Sequence, residues 1–156
     1  MLIKDLMIPI SGFLKPEYPL KKAVVMLTST QRREDKLGVK GLPVVDDNGK
    51  LVGMLSMRDI LKATFPSYLS SLHLGEFTWD GMLEDHAKKV ADQKVEQHMS
   101  RSVFTVRDDD SLMECVEIML KHNIKRIPVI DRQEKVIGVI YEREIFEAIA
   151  MAMLGV

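Results

Sequence analysis

The 156-residue sequence has one cysteine, almost no net charge and no long apolar run. Each shortage narrows what the chain can be. Cys115 is alone, so no intrachain disulfide can close. None is needed, because a chain of about 150 residues buries roughly 68–70% of its unfolded surface. Lys plus Arg total 22 and Asp plus Glu 23, a net charge of −1. That balance argues against a chain built to coat nucleic acid, and it leaves room for a local basic pocket. No stretch approaches the roughly 18 apolar residues of a membrane span, and Met1–Pro9 is too short and too charged for a secretory leader. A cytoplasmic location is the resulting expectation. The strong catalytic motifs G-x-x-x-x-G-K-[ST], G-x-S-x-G and H-E-x-x-H are also missing, so no enzyme is expected. His73, His86, His98 and His122 have no paired metal-ligand spacing. Met54, Met113 and Met119, among 11 methionines, fall at apolar or helical positions that suit packing rather than copper. What is present is 46% apolar and 29% charged residues, the composition of a folded soluble protein.

The chain repeats itself. Residues 39–63 (VKGLPVVDDNGKLVGMLSMRDILKA) align with residues 124–148 (IKRIPVIDRQEKVIGVIYEREIFEA) at an offset of 85. Lys40 meets Lys125, Pro43 meets Pro128, Asp46 meets Asp131, Gly53 meets Gly138 and Arg58 meets Arg143. The leading parts align at an offset of 92, pairing Met7 with Met99, Leu20 with Leu112 and Ala23 with Cys115. The seven-residue difference falls within Gln31–Leu37 (QRREDKL), a charged run expected to be a solvated helix extension or loop.

Each repeat reads as β-α-β-β-α. Leu20, Ala23, Val24 and Leu27 are spaced i, i+3, i+4, i+7, and Leu112, Cys115, Val116 and Met119 repeat that helical stripe. Asp110-Ser111 followed by Glu114 offers a capped helix start. Runs 42–45 and 51–55 flank the turn signal Asp46-Asp47-Asn48-Gly49, and runs 127–130 and 136–141 flank residues 131–135. Helices are predicted over 58–64 and 143–153, and a short extended segment over 102–106. The units are then 1–64 and 95–156, joined by a connector over 65–94 that is too long for a bare loop. Leu83, Ala87, Val90 and Ala91 predict a helix in its second half, and Trp79 is expected to anchor over the inter-repeat surface.

These features carry a family resemblance. LPVVD-x4-LVGMLSMRDIL and IPVID-x4-VIGVIYEREIF, each preceded by an amphipathic helix, resemble CBS domains, and the chain as a whole resembles a CBS pair. HMSRSVFTVRDDDSLMECVEIMLKHNIKRIPVID is an especially close match to the family's opening half. The resemblance implies a mixed α/β fold in which two tandem repeats stack pseudo-symmetrically through their sheets, with a cleft on either side. It further implies that the clefts bind adenine nucleotides or related adenosyl compounds (AMP, ADP, ATP, adenosylmethionine or a dinucleotide) and regulate a partner protein. No cofactor or metal comes with it.

Residue by residue, the resemblance places the ribose contacts at Ser56 and Asp59. The chemistry suits them, since an ionised carboxylate accepts two O–H bonds strengthened by its charge. S-x-x-D opening a helix is also a capping box, and one residue pair can serve both roles. Arg58, Lys125, Arg126 and Arg143 supply cations for phosphate. Ser11, Gly12, Lys40 and Pro43, with Ser102, Thr105 and Pro128, fall where the family lines the adenine pocket. Tyr141 and Glu144 depart from the pattern, a ring and a longer acid replacing a small hydroxyl and an aspartate, so the second cleft is expected to bind weakly. The apolar residues Ile145, Phe146, Ile149, Ala150, Met151, Met153 and Leu154 cover more than one helical face and predict a homodimer. The competing reading is a structural dimerisation module with no ligand.

Overall fold

The computed structural model describes residues 1–10, 12–33, 36–65 and 81–156. Ser11, His73 and Trp79 lie outside the described residues. Strand β1 (Ile8–Pro9) precedes helix α1 (Leu20–Ser29), the short strands β2 (Gln31–Arg33) and β3 (Lys36–Leu37), the hairpin β4 (Gly41–Val45) and β5 (Leu51–Ser56), and helix α2 (Met57–Thr64). After the connector helix α3 (Met82–Val90) come β6 (Val106–Arg107), α4 (Leu112–His122), β7 (Arg126–Ile130), β8 (Val136–Tyr141) and α5 (Glu142–Leu154).

Local chemistry sets these boundaries. Ser111 Oγ accepts the Glu114 N–H at 3.2 Å and starts α4, and Asn123 ends it in the left-handed region at φ 52°. In the β4–β5 turn Asp46 Oδ1 accepts the N–H groups of Asn48 and Lys50, and Gly49 supplies φ 81°. Asp131 does the same for Gln133 and Lys135 in the β7–β8 turn.

The charged run at 31–37 is neither a helix extension nor a bare loop. Its described ends, Gln31–Arg33 and Lys36–Leu37, pair antiparallel as the β2–β3 hairpin that follows α1. Helix α1 stops at Thr30, whose ψ of 126° is extended, and the chain returns when Gly38 N–H bonds Thr30 O at 2.8 Å. Gly38, at φ 95°, aligns with Asn123, so the insertion was placed just before a shared left-handed corner. The expected strand at 102–106 is also shorter. Pairing begins only at Val106, which meets Val129 in parallel.

The two repeats are laced together by their leading segments. The four-stranded sheet runs β1-β8-β7-β6, so the first repeat's leader pairs with the second repeat's hairpin. Reciprocally, Ser100 bridges Met54. Ile3 and Val95, matched across the repeats and each 0% exposed, are buried in the core of the opposite repeat. Each such burial contributes about 1.5–3 kcal/mol. Two matched glycines permit the crossing. A Cβ on Gly53 would lie 2.7 Å from Ser100 O, and one on Gly138 would lie 2.7 Å from Ile8 O. Lys50 bridges its own counterpart Lys135, which places the pseudo-two-fold axis between the hairpin turns.

Candidate functional site

Ser56 and Asp59 form a complete reciprocal cap at the start of α2. Asp59 Oδ2 accepts Ser56 N–H at 2.8 Å and Ser56 O–H at 3.0 Å, while Ser56 Oγ accepts Asp59 N–H at 3.3 Å. Both bonds that Asp59 accepts fall on one carboxylate oxygen, and Oδ1 accepts no hydrogen bond among the described residues. The capping and ligand roles are therefore compatible here. Asp59 lines a cavity of about 380 Å³ with Lys62, Ala63, Val90, Gln93 and His98. Arg58 is exposed beside it.

The clefts are separated by an asymmetric central contact. Gly41 pairs with Ser56 across β4–β5, and the matched pair in the second repeat is Arg126 with Tyr141. Two small residues thus face two large ones. The Arg126 chain lies over Gly41, where a Cβ would stand 2.5 Å from Arg126 Cδ. Tyr141 is 7% exposed, packs into the first repeat's core, and donates its O–H to Gly41 O at 2.7 Å. Its ring is anchored inward rather than standing loose in the cleft. Burial raises the Tyr141 phenol well above its ordinary value, and the Glu144 carboxylate adds to this while Arg126 opposes it. Burial also lowers the Arg126 guanidinium, against the pull of Tyr141, Asp59 and Glu142.

A cavity of about 520 Å³ opens between the repeats, within the range of small-ligand sites. Lys40, Lys125, Arg126 and Arg143 line it with Tyr141 and Glu144, and Val24, Leu27, Val39 and Ile60 give it an apolar wall. Arg143 also pairs with Glu147 one turn on, at 3.3 Å. Glu144 is 1% exposed. The expected phosphate cations therefore converge, with the exception of Arg58, and they converge on the side of Tyr141 and Glu144 rather than around Asp59. Arg126 relates to both sides, lining the large cavity while its guanidinium feels Asp59.

The expected adenine-pocket residues scatter. Gly12 lines a third cavity of about 490 Å³ beside Ile8, Ile10 and Met26. Pro43 and Pro128 are buried within their strands, opposite Met54 and Val139. Thr105 is exposed, next to Phe104, whose ring stacks on His122 at 4.1 Å. Sequence reasoning missed Arg32 and Leu37 of the β2–β3 hairpin, both of which line the large cavity. The signal was the charged insertion itself, read as solvated.

Among the described residues no cluster of His, Cys, Asp or Glu could hold a metal ion, and no helix is long and apolar enough to cross a membrane. Cys115 is buried, and that burial, with Asp110 nearby, pushes its thiol up to about 11.

Comparison with known proteins fits this geometry. The CBS domain family matches residues 3–65 and 95–151. An uncharacterised protein of Methanocaldococcus jannaschii is 30% identical over 96% of this chain and 91% of its own length. The chloroplastic CBS domain-containing protein CBSX2 of Arabidopsis thaliana is 32% identical over 70% of this chain, which spans 49% of that protein. The chain also matches a Methanocaldococcus jannaschii inosine-5'-monophosphate dehydrogenase at 31% identity, spanning 17% of that enzyme. Among solved structures, CBSX2 in complex with AMP superposes with a TM-score of 0.68 at 28% identity, covering 97% of this chain and 98% of that one. A CBS domain-containing protein from Bacillus anthracis gives 0.70 at 23% identity, covering 96% of this chain and 93% of that one. Matched in both of its repeats, the chain belongs to the CBS domain family and carries two such domains in tandem.

Proposed function

We propose that the chain is a ligand-sensing regulatory module that binds an adenine nucleotide or related adenosyl compound and passes its occupancy to a partner protein. The observation that carries this reading is the convergence of Lys40, Lys125, Arg126 and Arg143 on one cavity with an apolar wall. Cations of that density in a nearly neutral protein suit phosphate, and the apolar wall suits a base. The likeness to CBSX2, solved with AMP, supports the same ligand class. The carboxylates among the described residues of this cavity are Glu142 and Glu144, the latter the counterpart of Asp59 in the second repeat. Asp59, whose Oδ1 accepts no hydrogen bond among the described residues, is the ribose anchor of a second and smaller position, with Ser56 holding the carboxylate in place. Regulation requires that the ligand favour one of two arrangements of the chain, since equal affinity for both shifts nothing.

The test is calorimetric titration of AMP, ADP, ATP and adenosylmethionine into the wild type and Arg126→Ala. Loss of a charge-assisted bond of about 1.5–3 kcal/mol predicts roughly 10- to 150-fold weaker binding of the phosphorylated ligands. Absence of binding by all four at millimolar concentration would leave the competing reading, a structural dimerisation module. That reading draws on the exposed apolar residues Phe146, Ile149, Met153 and Leu154 of α5, which suit a second copy of the chain in either case.

A further inference from the structure

Among the described residues, Arg32 is the cation of the large cavity that the repeat pattern does not supply. It stands on β2, inside the seven-residue difference between the repeats, so the second repeat has no counterpart for it. The other cations reach the cavity from the start of β4, from the start of β7 and from α5; Arg32 reaches it from the hairpin that extends α1. Its side chain is partly buried and makes no hydrogen bond or ion pair among the described residues. By contrast, the partly buried Arg107 donates to Asp131 O at 2.6 Å. A guanidinium drawn partly out of water without an acceptor suits an incoming anion. Arg126, also partly buried and without a hydrogen bond among the described residues, lines the same cavity from the other repeat. Among the described residues Arg32 is also shared with the neighbouring cavity that Gly12 and Met26 line, so it stands at the junction of the two spaces.

Charge decides what anion these positions suit. Among the described residues five cations and the carboxylates of Glu142 and Glu144 line the cavity, a formal excess of three positive charges, which falls to two without Arg32. A phosphate monoester carries about 1.5–2 negative charges near neutral pH, and a second phosphate adds about one more. The repeat-derived cations match one phosphate group, and Arg32 provides for the next. Resting on the adenine-nucleotide reading above, we infer that Arg32 selects ligands by phosphate number, pairing with the second phosphate of a nucleoside di- or triphosphate. The insertion in the first repeat is then a specificity element.

The experiment is calorimetric titration of AMP, ADP and ATP into the wild type, Arg32→Ala and Arg32→Lys, with circular dichroism confirming that all three fold alike. The quantity read is the ratio of AMP to ADP dissociation constants. The wild type is expected to prefer ADP and ATP; Arg32→Ala should shrink the preference by about tenfold or more, and Arg32→Lys should restore part of it. An unchanged ratio in Arg32→Ala, whether all affinities hold or all fall together, overturns the inference while leaving the nucleotide reading intact. Failure of the wild type to bind any of the three overturns the nucleotide reading itself.

Discussion

Gly41→Ala is a minimal perturbation with consequences far larger than one methyl group. Gly41 is buried at the start of β4, and its missing side chain is the space that Arg126 occupies. An added Cβ would lie 2.5 Å from Arg126 Cδ and 3.0 Å from its Nε, so the arginine must retreat by about 1 Å to reach ordinary contact distance. Overpacking costs about 1–3 kcal/mol, and because the obstructing group is a flexible side chain the cost should fall at the low end. The larger effect is on binding. Arg126 displaced from its seat loses a charge-assisted contact of about 1.5–3 kcal/mol, or roughly 10- to 150-fold in nucleotide affinity. A double-mutant cycle isolates the mechanism. In an Arg126→Ala background the obstruction is gone, and Gly41→Ala should then change neither urea stability nor calorimetric affinity by more than about 0.5 kcal/mol. A substitution that weakens binding equally in both backgrounds, or that leaves the wild-type affinity intact, would refute the idea that Gly41 seats Arg126.

Tyr141→Phe removes the donor to Gly41 O and should cost about 1–3 kcal/mol in urea unfolding. It should also remove an alkaline transition: the folded phenol is raised, so its stabilisation is fully present below the unfolded value of about 10 and is lost as pH rises through the folded value. Gly53→Ala and Gly138→Ala each drive a Cβ to 2.7 Å from a backbone carbonyl of the crossing leader, and both should lose about 1–3 kcal/mol or more by the same denaturation assay. Asp59→Asn keeps the size of the cap and loses the charge; ligand binding at the smaller position should weaken by roughly 10-fold or more, read as a drop in calorimetric stoichiometry, with the melting temperature little changed. Light scattering is expected to show a dimer that dissociates when Phe146 and Met153, both exposed on α5, are changed to Glu.

Much of the fold was legible because repetition supplied its own control. Of the stripe Leu20, Ala23, Val24 and Leu27, all but the exposed Val24 are buried, and of its repeat Leu112, Cys115, Val116 and Met119, Cys115 and Met119 are buried while Leu112 and Val116 are half-buried. The Asp46 and Asp131 turns fall between the predicted strands. What the pattern could not show was exchange between repeats. Nothing in the spacing around Ile3 or Val95 says that each is buried in the other repeat's core, because a long-range pairing leaves no periodic trace in a short leader. The charged run at 31–37 misled for a related reason: charge reports solvent on one side of a segment, and the β2–β3 hairpin turns its other side, with Arg32 and Leu37, to a cavity. The candidate site was read as chemistry but not as geometry. Lys125, Arg126 and Arg143 were identifiable as cations, and so was the Ser56–Asp59 cap. Their division between two cavities follows from the three-dimensional contact of Tyr141 and Arg126 with Gly41, which matched positions alone do not reveal.

The most direct test is a crystal structure of the protein grown with ADP. Density for a phosphate within about 3 Å of the Arg126 guanidinium and Lys125, with the base against the apolar wall formed by Val39 and Ile60, is the predicted result. Ordered nucleotide confined to the cavity of Asp59, or a large cavity left empty in crystals that hold the nucleotide elsewhere, would contradict the assignment.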